Sequence, residues 1–310
     1  MPNWKEILEK IQRTSNESHS NAIHASDTIR RDFLKQLHGH TGRNVIAYYS
    51  GFLSKPDTAG IELNDEDMNG FMATVHQLDR SKGLDLILHT PGGRLAAAQS
   101  VIHYLTTMFA TPTGANIRAI VPQIAMSAGT IIACSCKTIL LAKHSQLGPI
   151  DPQFGGIAAA GVGEEFERAC EEVKKDPSRI PIWQAIIGRY PPTFLSQCQN
   201  AVDRASELVE ANLAANMFNG QRNSKHRAKD VVKSLMDYTG NKSHDRPIFY
   251  EECKKMGLEV GLIEDDKALQ DLVLSAHHCY MHAIMNTPSF KLIENHNGVA
   301  IIKRLQQVVV

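Results

Sequence analysis

The amino-acid sequence predicts an α/β fold of repeated β-α-β units, a parallel sheet with helices packed outside it. Short β-rich or apolar runs that read as strands recur at 44–52, 84–88, 117–122 and 138–142. The stretches between the first three runs carry apolar residues at helical spacing, and a short small-residue stretch separates the third from the fourth. Turn-forming residues release the chain at the strand ends, as at Ser54-Lys55-Pro56-Asp57 and Pro91-Gly92-Gly93.

The elements follow in order. Ile7, Leu8 and Ile11 within 4–13, then Phe33, Leu34 and Leu37 within 29–37, predict an N-terminal helical arm over 1–39. Val45, Ile46, Tyr48 and Tyr49 make 44–52 the first strand of a domain placed at 40–265. Asn64 to Asp67 supplies helix-starting residues, and Met68 to Leu78 buries Phe71, Met72, Val75 and Leu78 on one face. Lys82-Gly83 returns the chain to the strand at Leu84, which is apolar to Leu88 apart from Asp85. A second unit runs through a helix at 95–109 to the strand at Ile117, and a third through small residues 128–136 to the strand at Thr138. An acidic helix is expected at 164–175. Residues 181–192 and 221–229 break the helical pattern, the second as a charged loop suited to a lid or a solvated surface. The stretch 266–310 reads as a C-terminal helical extension, with an apolar helix at 267–285 and a weakly alternating tail suited to a short strand or an oligomer contact.

Composition narrows the function classes. Thirty-three basic and 33 acidic residues leave no net charge to draw the chain to nucleic acid or to a membrane surface. No run of about 18 apolar residues occurs, and the first residues lack an apolar signal core, so a cytoplasmic protein without a membrane span is expected. The six cysteines are scattered and fit reduced thiols. No strand-helix Gly-x-Gly-x-x-Gly and no lysine in a pyridoxal setting is found, so no cofactor is expected. His278 and His282 stand four apart on an apolar helix, but no carboxylate partner follows, and helix packing explains them better than a metal.

The chemistry concentrates between Leu84 and Asp151. The strand at 117–122 delivers Ser127 onto the first turn of a small-residue helix, within Ala-Met-Ser-Ala-Gly-Thr at 125–130. An exposed hydroxyl on a sharp strand-to-helix turn is where a nucleophile works, and the amides of Gly92, Gly93 and Ala128 are candidate oxyanion donors. The pattern is similar to a nucleophile elbow, with Ala125 in place of its first glycine. Tight helix-to-sheet packing is the competing explanation of the Ser-Ala-Gly step.

Four motifs together carry a family resemblance: Tyr-Tyr-Ser-Gly at 48–51, His-Thr-Pro-Gly-Gly at 89–93, the 125–130 hexapeptide and His-Ser-Gln-Leu-Gly-Pro-Ile-Asp-Pro-Gln at 144–153. In order, they resemble the serine dehydrogenase proteinase family, which belongs with the Clp-protease and crotonase-like folds. The resemblance extends through Pro192-Thr193-Phe194-Leu195 and His277-His278. It implies a Clp-crotonase-like domain and an ATP-independent serine peptidase acting on peptide or protein. In that reading Ser127 attacks the peptide carbonyl while Gly93 and Ala128 amides hold the oxyanion. It also implies a homo-oligomer. The alternatives are a binding protein on the same fold without a working base, and crotonase-like acyl-thioester chemistry using the same amides.

The general base stays open at this stage. Asp245-Arg246 with Glu251-Glu252 and Gly257-Leu258 resembles the segment carrying the aspartate of Clp proteolytic subunits, which implies that role for Asp245. The position matching their histidine falls at Ile150, beside Asp151. His244, next to Asp245, leads the candidates. Lys174 offers a Ser-Lys dyad, Asp151 could orient a base or bind a substrate amine, and His144 is expected to cap or pack.

Overall fold

Alternation along two adjacent strands shows how the sheet divides the molecule. In β1 (Asn44–Ser50), Ile46 and Tyr48 enter one hydrophobic core while Val45, Ala47 and Tyr49 enter the other. In β2 (Leu84–His89), Leu84, Leu86 and Leu88 face the first core and Ile87 faces the second. Strands buried on both faces read as continuous apolar runs, which is why they stand out in the sequence. The exception inside β2 is Asp85, fully buried, with Arg43 Nε at 2.7 Å and Arg118 Nη2 at 2.7 Å.

The structure is a computed structural model that describes residues 3–17, 22–237 and 243–305. The sheet continues with β3 (Ile117–Val121), β4 (Thr138–Leu141), β5 (Val260–Leu262), β6 (Ser289–Asn295) and β7 (Ala300–Arg304). Its order is β5-β4-β3-β2-β1-β6-β7. The first five strands in that order are mutually parallel, and β6 and β7 are antiparallel to their neighbours. Helices α1 (Trp4–Glu17) and α2 (Ala22–Thr41) bring buried residues such as Ile7 and Leu34 to the second core. Crossovers α3 (Asp67–Val75), α4 (Leu95–Met108) and α5 (Ala128–Cys134) cover the opposite face.

Beyond β4 the chain inserts helices α6 (Ala159–Lys175), α7 (Ile180–Ile187), α8 (Phe194–Asn212) and α9 (Ser224–Met236). Two expectations are corrected here. The stretch 181–192 is not a simple break: Pro181 sits in the first turn of α7, where its missing N–H would have had no helical partner. The charged stretch 221–229 is helical from Ser224 onward, its polar face solvated and Ala228 buried.

After α10 (Tyr250–Met256), the expected helical extension 266–310 contributes α11 (Lys267–Asn286) and then both antiparallel strands. Ser289–Asn295 completes the hydrogen bonding of β1, which would otherwise leave a fully buried strand with an open edge. The expected short strand in the tail is β7, while residues 306–310 lie outside the described residues. Among the described residues no helix is long and apolar enough to cross a membrane.

His89, the last residue of β2, is packed against the rings of Tyr49, Phe52 and His277. Both ring nitrogens lack a hydrogen-bond partner among the described residues, and burial pushes its pKa down to about 3 from 6.5. Below pH 6.5 the unfolded chain takes up a proton here that the folded chain refuses. The stability contributed by this site is therefore complete above 6.5 and falls as pH drops toward 3. Between pH 7 and 4.5, wild type should lose roughly 2.5 kcal/mol more than His89→Phe in denaturant titrations. Parallel losses in the two proteins would show that His89 does not titrate this way.

Candidate active site

A second, three-stranded sheet gathers the chemically interesting residues. Thr90 extends β2 by accepting Met126 N–H at 3.1 Å and donating its own N–H to Ile124 O at 3.0 Å. Ile124–Ala125 then pairs in parallel with Gln146–Leu147, which pairs antiparallel with Ile248–Phe249. Ser127 follows the first of these short strands, Asp151 follows the second, and His244 precedes the third. One ribbon at the carboxyl ends of β2 and β3 thus carries three residues far apart in sequence, at the position where open α/β sheets bind ligands.

Ser127 has φ 49° and ψ −117°, a conformation that side-chain-bearing residues rarely adopt. The turn is held on all sides. Thr130 Oγ1 donates to Ala125 O at 2.9 Å and accepts Gly148 N–H at 3.0 Å. A Cβ on Gly129 would lie 2.6 Å from Thr90 Cγ2. One on Gly92 would meet Met126 O at 2.6 Å and Ser127 Cβ at 2.7 Å, so the glycine turn and the serine turn touch.

The three candidate oxyanion donors differ. Gly92 N–H is bonded to Thr90 Oγ1 at 3.1 Å. On either side of Gly93, Gly92 O accepts Leu63 N–H at 2.8 Å and Arg94 N–H donates to Leu63 O at 2.9 Å. By the two-residue alternation of an extended chain, the Gly93 N–H turns away from Leu63. A side chain at Gly93 is excluded, because a Cβ would stand 2.4 Å from Leu63 O and 2.5 Å from Leu63 N. Ala128 is the first residue of α5, where an amide has no intrahelical acceptor.

Gly93, Ser127 and Ala128 line one cavity of about 630 Å³, together with His244. Leu95, Ile131, Ile150 and Ala205 form its apolar walls, and Glu62 and Arg94 add charge. His244 Nδ1 is 2.8 Å from Asp151 Oδ1, and the other oxygen of Asp151 accepts Gln153 Nε2–H at 2.8 Å. Asp151 is buried and His244 half-buried, so the carboxylate holds the Nδ1 edge of a ring that lines the cavity. No hydrogen bond joins Ser127 Oγ to His244 in this arrangement. Such bonds commonly tighten once substrate is seated.

The remaining candidates lie elsewhere. Asp245 is exposed and bonded to Ser243 Oγ, not to His244, because the turn directs it to solvent. Lys174 is exposed on the last turn of α6, outside the residues lining the Ser127 cavity. His144 lines a different cavity of about 280 Å³ with His277 and Trp4. His282 Nε2–H donates to Trp4 O, 3.0 Å away, and its ring packs on Trp4. Among the described residues no cluster is suited to a metal ion. Sequence reasoning missed Thr90, Thr130 and Gln153. The Thr-Pro-Gly order at 90–92 is a turn signal from which the Thr90 bond could have been read, whereas nothing local marks Gln153.

An uncharacterized protein of Methanocaldococcus jannaschii is 31% identical over 195 residues, 63% of this chain and 59% of that relative. A second uncharacterized protein of the same organism is 27% identical over 232 residues, 73% of this chain and 70% of the relative. The chain therefore matches less than two thirds of the first relative's length. A family model described as ClpP-like SDH-type serine proteinase matches residues 23–289, and with the mainly parallel sheet and the elbow serine this places the chain in that ClpP-like serine proteinase family.

Proposed function

We propose that the protein hydrolyses peptide bonds through an acyl-enzyme on Ser127. One observation carries this reading: the strained Ser127 shares a cavity with Gly93 and Ala128 and with a histidine held by a buried carboxylate. His244 Nε2 takes the proton as Ser127 Oγ forms a bond to the substrate carbonyl carbon. The carbonyl oxygen gains the negative charge and is met by the Gly93 and Ala128 N–H groups. Asp151 stabilises the imidazolium, which then protonates the departing amine. Water, activated by the same ring, releases the acyl group and restores the serine. The apolar walls from Leu95, Ile131 and Ile150 suit an uncharged side chain next to the scissile bond. Turnover of short peptides by this machinery needs no nucleotide.

A fluorophosphonate probe followed by intact-mass and peptide analysis tests the reading. A single adduct mapping to Ser127 supports it. A protein that forms no adduct, yet is stabilised thermally by coenzyme A compounds and not by peptide aldehydes, would point to acyl-thioester chemistry; stabilisation by neither would point to a binding protein.

We also propose self-association. Ile157, Ile180, Ile182 and Leu195 on the inserted segment are exposed, and apolar surface left by a folded chain commonly marks an interface. Light scattering at micromolar concentration should report more than one chain per particle, and a monomer overturns the proposal.

A further inference from the structure

We infer that the buried Lys291–Asp67 pair is a positioning device for the oxyanion amide at Gly93, an inference that rests on the peptidase reading above. Both side chains are fully buried, with Lys291 Nζ 2.9 Å and 3.1 Å from the two Asp67 oxygens. Burying such a pair costs desolvation that its attraction barely repays, so well-packed apolar residues would serve stability equally well. What this pair does beyond stability is visible in its other bonds.

Lys291 Nζ also donates to Glu62 O at 2.7 Å, and Asp67 Oδ2 accepts Asn64 N–H at 3.1 Å. Between those two anchored residues lies Leu63, whose N–H and C=O grip the chain on both sides of Gly93. A further bond fixes the same carboxylate: Tyr48 Oη–H donates to Asp67 Oδ2 at 3.0 Å. Burial first, and then Asp67, raise the Tyr48 pKa well above its ordinary value, so the phenol stays a donor. The Leu63 backbone that grips the chain around Gly93 is thus anchored on both sides by one ion pair, whose carboxylate also lies 3.3 Å from Lys303 Nζ, and the direction of the Gly93 N–H is set through it. Lys291 and Tyr48 touch no reacting atom; they act through Asp67 and Leu63.

Two variants test this. Tyr48→Phe keeps the ring and removes only the hydroxyl. The double variant Asp67→Leu/Lys291→Met removes both charges together and so avoids an unpaired buried ion. Peptide turnover is expected to show kcat falling roughly 10- to 100-fold in the double variant and about 3- to 10-fold in Tyr48→Phe, with KM changed less than about threefold. Affinity for a peptide aldehyde, whose tetrahedral adduct carries the oxyanion, should weaken by the same factor as kcat.

A merely structural pair predicts something else: lower melting temperature with kcat and aldehyde affinity unchanged below it. That result, or a loss confined to KM, overturns the inference. If the double variant does not fold, Tyr48→Phe decides alone. Failure of wild type to form a Ser127 adduct is read separately, and it removes the peptidase reading and this one with it.

Discussion

Ser127→Ala and Ser127→Gly are both expected to abolish adduct formation and to lower peptide turnover by at least about 10⁴-fold, while differing from each other in stability. The loss of activity follows from the proposed role: among the described residues no other hydroxyl side chain lines the cavity that holds Gly93 and Ala128. The stability difference follows from the backbone. At φ 49°, ψ −117° a Cβ is strained against its own peptide groups, and alanine keeps that strain while glycine relieves it. Relief on the order of 1–3 kcal/mol is offset by the greater freedom glycine gives the unfolded chain, about 0.5–1 kcal/mol. Ser127→Gly should therefore be more stable than Ser127→Ala by roughly 1 kcal/mol in denaturant titrations. Equal or reversed stabilities would mean that the turn is not strained, and undiminished turnover in either variant would remove Ser127 from the chemistry. An inactive glycine variant that outlasts the alanine variant identifies a conformation kept at some cost in stability, as expected where a side chain must be presented to a substrate.

What was legible in the sequence follows how local its cause is. The parallel core strands declared themselves because burial on both faces makes them apolar throughout, and Ser127 because its small neighbours 128–130 are what a tight elbow requires. The strand Ser289–Asn295 did not, since Lys291, Glu294 and Asn295 interrupt its apolar pattern. Their partners are remote: Lys291 meets Asp67, Glu294 meets Arg30 and Arg31, and Asn295 Nδ2 donates to Thr74 O. A buried charge satisfied across more than 200 residues leaves no local signature. The carboxylate was legible as two candidates: the resemblance implied Asp245, and Asp151 stood as a group that could orient a base; in the structure it is Asp151, 93 positions away, that meets His244, brought there through strand pairing at Gln146–Leu147. The Gly92 bond has the opposite, local cause: its amide is met two residues away, by Thr90.

Asp151→Asn is expected to slow Ser127 labelling about as much as His244→Ala does, on the order of 10² to 10⁴-fold, whereas Asp245→Asn and Lys174→Ala leave it within about threefold. The outcome depends on which nitrogen of the ring carries the proton. With Asp151 ionised, its Oδ1 accepts the His244 Nδ1–H at 2.8 Å, and the Nε2 lone pair is left for the serine proton. An asparagine at 151 has two ways to sit. Gln153 Nε2–H requires an acceptor at the second oxygen position, 2.8 Å away, so the amide oxygen stays there and the amide NH2 turns to the ring. Facing a donor, Nδ1 becomes the acceptor, the proton moves to Nε2, and the nitrogen that should receive the serine proton is blocked. The side chain differs little in size, so the fold should be retained and the loss should appear in the labelling rate. Gln153→Glu combined with Asp151→Asn offers a check: a neutral asparagine beside a carboxylate can donate its NH2 to position 153 and turn its oxygen to His244, restoring the productive tautomer and part of the rate. Labelling unaffected by Asp151→Asn but slowed by Asp245→Asn would transfer the orienting role to Asp245, and labelling lost only in Lys174→Ala would replace the histidine by a Ser-Lys dyad.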